Sequence, residues 1–141
     1  MRIHHIGYLV KKMDNAVKAF KDLGYSLIKE AVFDEYRQVW ISFLEKNGYI
    51  VELVSPVTKD SIVAGLLKRQ GNAPYHICYE TDNFNEDLSH LLEQHYIPCE
   101  YTGGGIDIKE APAIEGRRCC FLISPHMGMV ELLEGEIVNC V

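Results

Sequence analysis

The sequence predicts an α+β domain: two tandem βαβββ modules whose strands form one cup-shaped mixed sheet. Three observations carry this expectation. The first strand, Arg2-Ile3-His4-His5-Ile6-Gly7-Tyr8-Leu9-Val10, returns in the second half as Pro74-Tyr75-His76-Ile77-Cys78-Tyr79-Glu80. A later strand, Tyr49-Ile50-Val51-Glu52-Leu53-Val54, is echoed by Gly128-Met129-Val130-Glu131-Leu132-Leu133. The chain has 141 residues, 48% of them hydrophobic, which suits one packed domain better than two independent ones. The expected organisation is a single domain over 1–141, with module 1 at 2–56, a linker at 57–73 and module 2 at 74–134.

The elements follow in order. After the first strand, Met13, Ala16, Val17, Phe20 and Leu23 recur at the spacing of an amphipathic helix over 13–23. Asp14 is placed to cap its start and Gly24 to close it. Strand-like runs at 25–31, 38–44 and 49–54 come next, the last two joined by Glu45-Lys46-Asn47-Gly48, whose Asn-Gly is a hairpin signal. Pro56 ends the module, and residues 61–68 read as a short connecting helix before the Gly71-Asn72-Ala73-Pro74 break. The second half restarts with a strand over 75–81. Asn83 and Glu86 then resemble a capping box opening a helix whose face is Phe84, Leu88, Leu91, Leu92 and His95. Strands are expected at 97–101, 117–123 and 127–133. His76 follows His5 by 71 positions and Glu131 follows Glu52 by 79, so about eight extra residues are expected in the loop 102–116. Two copies of this length imply paired supersecondary modules, not a solenoid.

Side chains alternate along a strand, which sorts the two faces. Tyr8 and Val10, with Ile6, are expected to support the helix, leaving His5 on the concave side. Glu52 shares that side with Ile50 and Val54, while Val51 and Leu53 pack behind. In the second module His76, Cys78, Met129, Glu131 and Leu133 face inward; Ile77, Tyr79, Val130 and Leu132 face the helix. A single strand His is more often a hydrogen-bonded core residue, and a single mid-strand Glu is usually solvated. The symmetric recurrence of all four makes a ligand set the better reading. Burying two carboxylates together is costly unless a cation pairs with them. Two imidazoles and two carboxylates suit Ni²⁺, Co²⁺, Fe²⁺, Mn²⁺ or Zn²⁺ and leave positions for water or substrate oxygens.

Composition excludes several classes. The net charge is −6, and no basic run exceeds Lys11-Lys12 or Arg117-Arg118, so the electrostatic footprint of nucleic-acid binding is missing. No stretch approaches the roughly 18 apolar residues of a membrane helix, and the start runs straight into a strand, so a cytoplasmic protein is expected. Cys78, Cys99, Cys119, Cys120 and Cys140 form no CxxC and read as reduced apolar fillers.

The motifs His4-His5-Ile6-Gly7-Tyr8, Ile50-Val51-Glu52-Leu53, Tyr75-His76-Ile77-Cys78-Tyr79 and Met129-Val130-Glu131-Leu132 resemble those of the vicinal oxygen chelate superfamily, with its glyoxalase/bleomycin resistance/dioxygenase fold. The likeness spans residues 3–134. It implies His5, Glu52, His76 and Glu131 as metal ligands, with Ni or Co favoured and Zn, Mn or Fe as alternatives. The order His, Glu, His, Glu is similar to that of bacterial-type glyoxalase I. Methylmalonyl-CoA epimerases typically have Gln where Glu52 stands and a further acidic residue near Trp40, which cannot serve as a base. The expectation is therefore a glyoxalase I-like lyase of the lactoylglutathione lyase type, isomerising a 2-oxoaldehyde-thiol hemithioacetal through a metal-bound enediolate. Glu131 is implied as the proton-transferring residue and Glu52 as a second acid or base. The alternatives are a methylmalonyl-CoA epimerase-like racemase acting on an acyl-CoA thioester, or a metal-free ligand-sequestering protein that stacks its ligand on Trp40, Phe43 and Tyr49. A homodimer is implied in either case, with no nucleic-acid or membrane partner. Arg37, Lys109, Arg117 and Arg118 are candidates for holding a substrate carboxylate or phosphate, and the 102–105 glycine run for a flap.

Overall fold

The computed structural model describes residues 1–99, 101–102, 105–106 and 109–136. Its elements are β1 (Arg2–Leu9), α1 (Met13–Asp22), β2 (Ser26–Asp34), β3 (Val39–Lys46), β4 (Tyr49–Pro56), α2 (Ala64–Gln70), β5 (Ala73–Thr81), α3 (Phe84–Glu93), β6 (Ile97–Pro98), β7 (Tyr101–Thr102), β8 (Gly105–Ile106), β9 (Lys109–Ala111), β10 (Arg117–Ser124) and β11 (Gly128–Glu134). Helices and a mixed sheet give the expected α+β class. The chain divides into two compact units, residues 5–75 and residues 1–4 with 76–141. Among the described residues no helix is long and apolar enough to cross a membrane.

In the unit 5–75 the strands run β2-β3-β4-β1. The β3–β4 ladder is antiparallel and pairs Lys46 with Tyr49, so its turn is the two residues Asn47 and Gly48. Both have positive φ, the signature of the primed turn whose twist matches the strands, as Asn-Gly predicts. β4 then lies parallel to β1, a geometry that needs the intervening helix and strands as a crossover. Val10, Leu44, Val51 and Leu53 form the core on the helix side, with Tyr8, Met13, Ala16, Val17 and Phe20 against them. Each fully buried leucine of this set contributes about 2 kcal/mol. Ile6, expected to support the helix from the same face as Tyr8, is 39% exposed and outside this cluster.

The second unit repeats the plan as β5-β11-β10-β6, with β5 parallel to β11 and β9 added beside β10. Phe84, Leu88, Cys120, Leu122, Val130 and Leu132 form its helix-side core. The expected strand at 97–101 is reduced to the two residues of β6, and the insertion contributes β7, β8, β9 and a 3₁₀ turn at Pro112–Ile114. Glu100, Gly103, Gly104 and Cys140 lie outside the described residues, and with them part of the expected flap.

Both long helices end in the same way. After α1, Gly24 N–H donates to the Lys21 carbonyl and Tyr25 N–H to Phe20, with Gly24 at φ +95. After α3, His95 N–H donates to Leu92 and Tyr96 N–H to Leu91, with His95 itself at φ +68. These are paired Schellman endings, and the second puts a β-carbon where glycine is preferred. His95 therefore closes the helix and is not on its apolar face. The starts also differ from expectation. Lys12 occupies the N-cap of α1, with Asp14 in the first turn and no side-chain cap. The Asn83/Glu86 capping box does not form either; Thr81 Oγ1 accepts from Asn83 N–H and bonds Asp87. The connecting helix begins at Ala64, three residues later than expected.

Candidate functional site

Each unit presents one buried His–Glu pair, and strand register explains both. Where β1 and β4 run parallel, Ile6 stands beside Val51 and Gly7 beside Glu52. His5 is two residues before Gly7, so Glu52 sits on its face in the diagonal position. Gly7 has no side chain to separate them. Glu52 Oε1 lies 3.5 Å from His5 Nε2. β5 and β11 repeat the register, with Met129 beside His76 and Glu131 beside Cys78. Glu131 Oε1 is 3.3 Å from His76 Nε2. All four residues are at most 4% exposed.

An aromatic ring braces each imidazole. Phe43, the β3 partner of Glu52, meets His5 edge to face with centroids 5.4 Å apart. Phe121, the β10 partner of Glu131, does the same to His76 at 5.1 Å. Such contacts limit ring rotation and so fix where each Nε2 points. Phe121 was missed in the sequence, although Ser42-Phe43-Leu44 and Cys120-Phe121-Leu122 precede the two glutamates at nearly equal spacing.

The donor chemistry fits a divalent ion. Two donors at about 2.1 Å from an ion, in adjacent positions of an octahedral shell, are about 3 Å apart. The separations of 3.5 and 3.3 Å match one such edge per unit.

A family model described as the Glyoxalase/Bleomycin resistance protein/Dioxygenase superfamily matches residues 4–121. The chain belongs to that superfamily. The mitochondrial methylmalonyl-CoA epimerase of Homo sapiens is 31% identical over 94 residues, 66% of this chain and 53% of its own length. An uncharacterised Bacillus subtilis protein is 28% identical over 95 residues, 67% of each chain. The chain spans about half the length of the mammalian epimerases it matches. Among solved structures, a variant of Streptomyces coelicolor methylmalonyl-CoA epimerase in complex with 2-nitronate-propionyl-CoA is similar with a TM-score of 0.80, at 22% identity, covering 98% of this chain and 96% of that one.

Other residues expected at the superfamily site are placed elsewhere. Trp40 is 43% exposed and Tyr49 73% exposed. Both alternate with Phe43 and Glu52 along their strands and so take the opposite face. The aromatic stacking surface expected for a metal-free binder therefore loses two of its three rings. Three of the expected anion-binding cations are held within the protein. Arg37 Nη1 pairs with the buried Asp34 at 2.9 Å. Arg117 Nη1 pairs with Glu80 at 2.5 Å and its Nη2 lies 3.5 Å from His4 Nε2. Arg118 pairs with Glu134 at 2.6 Å and holds that carboxyl below its usual range. The Lys109 side chain lies outside the described residues. Asp34, missed in the sequence, is opposite Val39 and so on the Glu52 face of the sheet. It accepts the Arg37 N–H at 3.0 Å, which makes it the clamp of the turn after β2.

Proposed function

We propose that this chain is an acyl-CoA epimerase of the methylmalonyl-CoA type, with His5, Glu52, His76 and Glu131 as ligands for a divalent cation. The observation that carries the reading is the 31% identity to the human epimerase over 94 residues. The repeated His–Glu register supports it, because duplicated buried donors are costly to retain without a cation. These relatives favour the epimerase alternative; they lend nothing to the glyoxalase I reading.

The reaction moves one proton at the carbon beside the thioester carbonyl. A bound divalent ion would supply Lewis acidity that lowers the cost of negative charge on the carbonyl oxygen. Glu131 takes the proton with its carboxylate, which β11 holds rigidly between Phe121 and Cys78 of the flanking strands. Inversion requires the proton to return from the other side of the carbon. Glu52, carried by the other unit, is the second acid or base in this reading. Burial of both carboxylates keeps bulk water from competing for the proton.

The test is deuterium incorporation at C2 of methylmalonyl-CoA in heavy water, for wild type and Glu131→Gln. A positioned acid or base contributes about 10² to 10⁴-fold, so the variant should lose at least about 100-fold while keeping its metal. Wild-type protein that catalyses no exchange in the presence of Co²⁺ or Ni²⁺ sinks the proposal; unchanged exchange in the variant removes Glu131 from the role given to it.

A further inference from the structure

Arg37, Arg117 and Arg118 are committed to internal carboxylates, whereas three lysines of the unit 5–75 share one concavity. A cleft of about 650 Å³ is lined by Lys11, Lys59 and Lys68, with Thr58, Asn72 and Leu67 among its other walls. Among the described residues no carboxylate lines it, in a chain whose net charge is −6. The three lysines come from three segments: the turn after β1, the loop after β4, and α2. Their gathering is anchored by backbone contacts. Lys11 N–H donates to Asn72 Oδ1 at 2.8 Å, and Ser55 Oγ donates to the Lys11 carbonyl at 3.2 Å. Three ammonium groups around one concavity repel one another unless an anion lies between them.

Strand geometry sets the distance to the His5–Glu52 pair. Pro56, on the cleft wall, is four residues beyond Glu52 along β4, about 13 Å at the usual strand rise. An extended pantetheine arm covers that span. We infer that this cleft receives the phosphates at the nucleotide end of the coenzyme A carrier, while the acyl thioester reaches the His–Glu residues. The inference rests on the acyl-CoA reading above, but it concerns different residues and a different half of the ligand.

The probe is adenosine 3′,5′-bisphosphate, titrated calorimetrically into the full chain and into Lys11→Gln/Lys59→Gln/Lys68→Gln, with inorganic pyrophosphate as competitor. Loss of a charge-assisted contact is worth roughly tenfold in affinity, so the triple variant should bind at least about tenfold more weakly, with wild-type affinity falling as salt rises. An unchanged melting temperature in the triple variant shows that its fold is intact; single substitutions, each weakening binding, serve if it is not. No binding to wild type, equal affinity in the variant, or pyrophosphate binding as tightly as the nucleotide would each overturn the assignment. Deuterium exchange keeps the two proposals apart. Exchange without nucleotide binding refutes the cleft alone, and nucleotide binding lost in the variant without exchange supports the cleft while refuting the epimerase.

Discussion

Arg117→Met should destabilise the chain strongly at neutral pH and much less in acid. The Arg117 side chain is 12% exposed and that of Glu80 16%, at an N···O distance of 2.5 Å. Removing one member of a fully buried pair costs about 3 to 5 kcal/mol, because the other charge is left behind, and this part-buried pair stands toward or below the low end of that range. Glu80 keeps Arg2, at 3.0 Å, but that side chain is 54% exposed and such pairs contribute at most about 1 kcal/mol. The expected loss is therefore about 2 to 4 kcal/mol, or roughly 6 to 15 °C in Tm for a domain of this size. Burial pushes the Glu80 carboxyl up, but hydrogen bonds from Arg117 and Arg2 outweigh it and hold the group below its ordinary 4.5. The ionised carboxylate thus stabilises the native state above pH 4.5, and that stabilisation fades as pH falls through the lowered native value. In the variant, protonation relieves the abandoned charge, so the wild-type advantage should shrink in acid. Urea unfolding at pH 7 and pH 4 measures both gaps. A gap of equal size at the two pH values would refute the electrostatic argument and leave only lost packing.

Two further outcomes follow from the site and from the helix ends. After equilibration with Ni²⁺, Co²⁺ and Zn²⁺ and removal of excess, wild type should retain about one ion per chain and His76→Ala none, with chelator lowering Tm only in the wild type; elemental analysis beside thermal melts tests this. His95→Gly should raise stability by about 0.5 to 1 kcal/mol by relieving the left-handed backbone, whereas Gly24→Ala at the matching position should cost about 1 kcal/mol or more; thermal denaturation of the pair decides whether the two endings are energetically alike.

Much of this architecture was legible because it is written twice. The His and Glu of each half are placed by local alternation on strands, so their burial and common face could be read from period two alone. The Asn47-Gly48 turn and the Gly24 helix ending were equally legible, since both depend on backbone freedom encoded at one residue. The lysine cleft was not. Lys11, Lys59 and Lys68 are far apart in sequence, and no periodicity links a turn, a loop and a helix. The arginines misled for the converse reason: Arg37 has its partner three residues away, but Arg117 is satisfied by Glu80, 37 residues distant. Choosing glyoxalase I from Glu52 gave one side chain the weight that belongs to the body of the chain, where the relatives' similarity lies.

The line between the two compact units does not fall in the linker. It passes within β1, between His4 and His5, and within β5, between Tyr75 and His76. Arg2 belongs with the second unit, where it grips Glu80 and Asp82. No single scission can therefore release either half whole. A polypeptide begun at residue 76 is born without Arg2, so Asp82 loses that counter-charge and Glu80 keeps only Arg117 of its two. Transplanting or duplicating the second half of this protein means bringing its opening residues along as a separate piece.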